Sequence, residues 1–132
     1  MSRLTLVLLS LWSAGCYFGR SPSSYPPAQG PRGAAVTITT ARQVTVAGEL
    51  LAVTDTALVV HGPSGVMLVP FAATRDAWLP DLRMHVRNGQ RPNAREAEKL
   101  RLHSRFPQGI SAELLARLLE RYDQPELVVV RP

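Results

Sequence analysis

Between Ala35 and Leu79 turn signals interrupt the chain so often that only short strands fit between them. Val36-Thr37-Ile38-Thr39 and Gln43-Val44-Thr45-Val46 are β-branched and alternate like half-buried strands. Gly48 to Val53 and Ala57 to His61 follow, joined by Thr54-Asp55-Thr56. An aspartate suits that turn because its side chain can bond the backbone two residues on. His61-Gly62-Pro63-Ser64-Gly65 makes the next turn, and Val66 to Phe71 the next strand. Pro70 cannot donate to a ladder and belongs near a strand end or on an edge. Thr74 to Leu79 closes the series at Pro80.

Leu50 to Val53 and Leu58-Val59-Val60 are apolar on both faces, so the sheet cannot lie flat with one face wet. A sheet that curls on itself buries both faces and hides its edges, and Gly48 offers a place to bend. Val44 to Leu79 resembles a small Sm-like or SH3-like barrel: a glycine-led bent strand, an aspartate turn, a valine-rich return strand and a strand containing Val69-Pro70. The resemblance implies a mainly β fold of about five strands with α additions. The expected core is Leu50, Val53, Leu58, Val60, Leu68 and Phe71. The polar RNA-contact loops of nucleic-acid-binding members are missing, so nucleic acid is not an expected partner.

Beyond Pro80 the pattern changes. Asn88-Gly89 signals a turn, and Asn93 with Glu96 can form a capping box at a helix start. Leu100, Leu102, Ser104 and Phe106 alternate, which predicts a short helix running into an extended segment. Ser111 caps a clearer helix over Ala112 to Tyr122, with Glu113 complementing its dipole. Leu114, Leu115, Leu118, Leu119 and Tyr122 recur at helical spacing, and the stripe is expected to pack on the open face of the barrel. Glu126 to Val130 reads as a last strand.

The N-terminus carries a separate message. Met1-Ser2-Arg3 precedes an apolar run from Leu4 to Trp12, then Ser13-Ala14-Gly15 and Cys16. A cationic start, an apolar stretch and a small-residue cleavage site make an export signal. The run is shorter than the roughly 20 residues that span a bilayer. Cys16 is the one cysteine of the chain, so it has no partner for an internal disulfide. Ser13-Ala14-Gly15-Cys16 resembles the lipobox of bacterial lipoproteins, with Ser13 where that family prefers an aliphatic residue. The resemblance implies that Cys16 is acylated with diacylglycerol and becomes the first residue of a protein held at the bacterial envelope, facing the periplasm, at the outer membrane in preference to the inner. Cleavage by the general signal peptidase, giving a secreted soluble protein, stays open as the alternative. Ser21 to Gly33 holds four prolines, three serines and two glycines, a composition that forms a tether and not a fold. The chain therefore divides into a signal (1–15), lipidated cysteine and tether (16–33), small barrel (34–80), and basic segment with C-terminal helix and strand (81–132).

The formal net charge of +5 is unevenly spread. Arg83, Arg87, Arg91, Arg95, Lys99, Arg101 and Arg105 face only Glu96 and Glu98 within their segment. Such a block reads as a patch for anionic ligands or as a solvated face. Catalytic patterns are weak. His61, His85 and His103 show no metal-ligand spacing. His61, Ser64 and Asp55 lack the glycine spacing of a nucleophile elbow. Asp76 and Asp81 read as solvated charges, and no glycine loop suits a phosphate. The expectation is a non-catalytic, lipid-anchored binding or scaffolding module of the envelope that needs no cofactor. A binder of anionic polymer or lipid head groups through residues 83–105 is the alternative. Expected contacts are the membrane, through the anchor, and an envelope protein.

Overall fold

The computed structural model describes residues 32–132. The export signal, Cys16 and nearly all of the tether lie outside the described residues. Seven strands form one mixed sheet: β1 (Ala35–Thr40), β2 (Thr45–Val53), β3 (Ala57–Gly62), β4 (Gly65–Pro70), β5 (Thr74–Leu79), β6 (Met84–Arg87) and β7 (Val128–Val129). Two helices, α1 (Ala94–Leu102) and α2 (Ala112–Arg121), accompany them. The fold is mainly β with α additions.

The strand order is β6-β5-β1-β2-β3-β4-β7. All neighbours are antiparallel except β4 and β7. The sheet is not closed: β6 and β7 form its two ends, and a 3-10 turn at Phe71–Ala73 separates β4 from β5. The expected five-strand barrel gives way to an open sheet that still curls. Val36 and Ile38 of β1, Met67 and Val69 of β4, and Met84 and Val86 of β6 share one buried cluster, so distant strands turn their faces inward on each other.

The bend lies in β2. Leu50 pairs with Val60 and Ala52 with Val59, leaving Leu51 as an extra residue. This bulge changes the phase of the strand: Leu50 points into the inner cluster, whereas Leu51 and Ala52 join a second cluster outside. A run that is apolar on both faces thus serves two cores. The bulge also turns two carbonyls out of the ladder. Leu50 O accepts from Arg105 N–H at 3.0 Å and Leu51 O from Phe106 N–H at 2.8 Å. Gly48 sits next to the bend, where an added Cβ would run into the His61 carbonyl and the Val60 side chain.

Several expectations need correction. Leu50, Leu58, Val60 and Phe71 lie in the inner core with Val53 packed against it, but Leu68 faces the outer cluster. The residues that plug the inner core include Leu100 of α1, which is fully buried. The Asn93–Glu96 capping box forms as expected, yet the helix runs on through Leu102 in place of the expected extended segment. The stripe of α2 does pack, but on the outer faces of β2, β3 and β4, through Leu51, Ala52, Val59 and Val66. Ser111 caps this helix through its hydroxyl, which accepts from Leu114 N–H at 3.1 Å. Met84–Arg87 forms a strand inside the basic segment. The C-terminal strand shrinks to Val128–Val129 and lies parallel to β4.

Candidate functional site

The site is best built from β6 and α1. In β6, Met84 and Val86 point into the core while His85 and Arg87 point out. The chain then reverses at Asn88-Gly89, both with positive φ (56° and 68°), the shape of a tight primed turn. Arg87 O accepts from Gln90 N–H at 3.1 Å, which closes that turn. The returning segment leads to Asn93, whose side chain accepts from Glu96 N–H at 2.9 Å while the Glu96 carboxylate accepts from Asn93 N–H at 3.0 Å. The capping box fixes where α1 starts and bonds the Glu96 carboxylate to the backbone.

Two adjoining clefts lie between β6 and α1. His85, Val86, Arg87, Gln90, Arg91, Pro92 and Glu96 line one of about 300 Å³. Arg83, Met84, Arg95, Glu96 and Lys99 line one of about 410 Å³. Glu96 belongs to both, so they form one groove with Arg83 and Arg87 on the β6 side and Arg91, Arg95 and Lys99 on the helix side. All five cations are exposed. Lys99 Nζ donates to Leu82 O at 3.0 Å, which uses one of its three protons. Asp76 Oδ1 lies 2.9 Å from His85 Nδ1 and accepts from Arg87 Nε at 3.4 Å. His85 in turn stacks on Trp78, with ring centroids 4.3 Å apart. This small cluster orders the outer face of β6.

The seven cations singled out in the sequence therefore do not act as one patch. Arg83, Arg87, Arg91, Arg95 and Lys99 share the groove. Arg101 is tied down by Glu98, with Nη2 at 2.7 Å from Oε2 and 2.8 Å from Oε1. Arg105 sits elsewhere, 3.8 Å from the Glu49 carboxylate and 5.5 Å above the Phe106 ring. It lines a third cleft of about 460 Å³ with Arg32, Glu49, His61, Arg121 and Tyr122, where His61 and Tyr122 stack at 4.1 Å. Sequence reasoning missed Trp78, His85 and Gln90 in the first region and Arg32, Arg121 and Tyr122 in the other. Pairing across the sheet (Trp78↔His85 and Asp76↔Arg87) joins Trp78 to His85, and the Asn88-Gly89 turn brings Gln90 back beside His85.

The weak catalytic patterns do not assemble. Asp55 lies in the turn before β3 and His61 near the strand's far end, so the strand from Ala57 to His61, about 13 Å at strand rise, separates them. Asp76 is engaged by His85 and Arg87, whereas Asp81 accepts from Ala35 N–H at 3.4 Å, so they make no acid–base pair. Among the described residues no three His, Cys, Asp or Glu side chains converge as a metal site would require. No described helix is long and apolar enough to cross a membrane. Compared with protein-family models, curated proteins and solved structures, the chain matches none.

Proposed function

We propose that this protein is a lipid-anchored, non-catalytic binding module of the bacterial envelope, held by acylated Cys16 and binding an anionic partner in the groove between β6 and α1. The observation that carries the binding site is the gathering of five exposed cations around two adjoining clefts that hold a single lining carboxylate, Glu96, with Arg87 also bonded to Asp76. The anchor rests on the lone cysteine after a short export signal and on the proline-rich tether that follows. The architecture is read as a small Sm-like or SH3-like barrel opened at one side: β1 pairs with both β2 and β5, and one core fills the curl. A photo-crosslinker at Gln90, inside the groove, tests the reading in living cells. A discrete adduct that Arg83→Gln/Arg91→Gln/Arg95→Gln removes is the expected result. Adducts equal to those from a crosslinker at Arg117, on the exposed side of α2, would contradict it.

A second reading has its own observation. Arg32, Arg105 and Arg121 meet in one cleft where the tether joins the domain. That face suits electrostatic contact with anionic head groups, at about 1 kcal/mol per basic residue near the surface.

A further inference from the structure

The groove has a spacing as well as a charge. Arg87 ends β6, and Arg83 stands just before that strand in the left-handed conformation, with φ 48°. Arg95 and Lys99 are one turn apart on α1, with Cβ atoms about 5–6 Å apart. An extended peptide presents every second side chain on one face, about 7 Å apart. Acidic residues at alternate positions would therefore carry carboxylates at close to the spacing of Arg95 and Lys99, with Arg83 and Arg87 on the opposite wall.

The edge of β6 adds a backbone argument. Asn88 N–H donates to Arg75 O at 2.8 Å, one residue beyond the Asp76↔Arg87 pair. In an antiparallel ladder bonded pairs alternate, so Val86 turns its N–H and C=O toward β5. His85 turns both groups the other way, off the open edge of the sheet and toward the cleft that it lines. A donor and an acceptor side by side match a peptide backbone. A phosphate chain offers only acceptors there.

We propose that the groove binds an extended acidic peptide segment of a partner protein, its carboxylates at alternate positions and its backbone bonded to His85. The proposal rests on the groove being the binding site and names the class of ligand. The probe is a labelled decapeptide alternating Glu and Thr, added to the full-length protein in detergent. Two companion probes are the same peptide N-methylated at alternate residues and a short inorganic polyphosphate.

The alternating peptide is expected to bind, and to bind about tenfold more weakly to Arg83→Gln/Arg91→Gln/Arg95→Gln, a loss of about 1.4 kcal/mol shared by three exposed pairs. Arg42→Gln/Arg75→Gln/Arg117→Gln removes the same charge from other exposed positions and should leave binding near wild type. N-methylation should weaken binding severalfold. If the methylated peptide or polyphosphate binds as well as the plain peptide, the peptide assignment is overturned while an anion-binding groove stands. If none of the three probes binds, the groove reading fails with it. An equal loss in both triple variants would assign the binding to overall charge and end the proposal.

Discussion

Gln124 completes the edge of β4 by bonding both backbone groups of Val66 with its side-chain amide. Its Oε1 accepts from Val66 N–H at 2.7 Å, and its Nε2 donates to Val66 O and to Glu126 O, each at 2.8 Å. One side chain thus imitates a strand for one residue, and β7 takes over at Met67 and Leu68. Gly65 is cut to fit: its φ is +93°, and an added Cβ would meet the Gln124 amide. The arrangement ties the end of α2 to the sheet and blunts an otherwise open edge.

Removing that amide should loosen the C-terminus. Gln124→Ala is expected to cost about 1–3 kcal/mol, since each bond is worth about 0.5–1.5 kcal/mol net. Gln124→Glu keeps the acceptor but sets a carboxylate against two carbonyls, and should cost at least as much. Urea denaturation midpoints would check this. A midpoint equal to wild type in both variants would mean that the end of α2 is held by its leucines alone.

The two cores should respond separately. Leu100→Ala empties part of the inner cluster and Leu118→Ala part of the outer one, each at about 2–5 kcal/mol. Because they share no cluster, the double variant should be additive to within about 0.5 kcal/mol. Strong coupling in that double-mutant cycle would show one continuous core.

Cys16 gives the anchor its own test. Labelled fatty acid should enter the wild-type protein and not Cys16→Ala, and the wild type should partition into detergent. Equal labelling of the two would rule the anchor out.

Contact with lipid should be weak and electrostatic. The domain lacking Cys16 is expected to bind anionic vesicles at low salt and to leave them near 1 M salt, where the Debye length falls to about 3 Å. Arg32→Gln/Arg105→Gln/Arg121→Gln should remove the binding if the tether-side cleft makes the contact. Equal affinity for neutral and anionic vesicles would exclude a charge-driven contact.

Much of the fold was legible because alternation and turn chemistry agree from Val36 to Leu79. Which face of each strand turns inward was not. In β4 both phases are apolar, Met67 and Val69 against Val66 and Leu68, so the pattern offers no choice and Leu68 was misplaced. The bulge at Leu51 has no local signal, since it becomes necessary only when β2 must serve two cores. Met84-His85-Val86-Arg87 alternates, yet four residues inside a basic run carry too little contrast to stand out. Leu100 and Leu102 mimic a strand, and only the capping box at Asn93 sets the helical phase that buries Leu100. For the site, the charges were legible and their grouping was not. Whether Arg101 is free depends on Glu98, and whether Arg105 belongs depends on the return of the chain to Leu50.

The central claim is that anions bind between β6 and α1, and amide chemical shifts test it most directly. Titrating the isotope-labelled protein with the alternating Glu-Thr decapeptide should move the amides of His85, Arg87, Arg91 and Arg95 together, along one saturable curve. The amides of Arg32, Arg105, Arg121 and Tyr122 should stay in place. Shifts confined to that second set, or none at either place, would contradict the account.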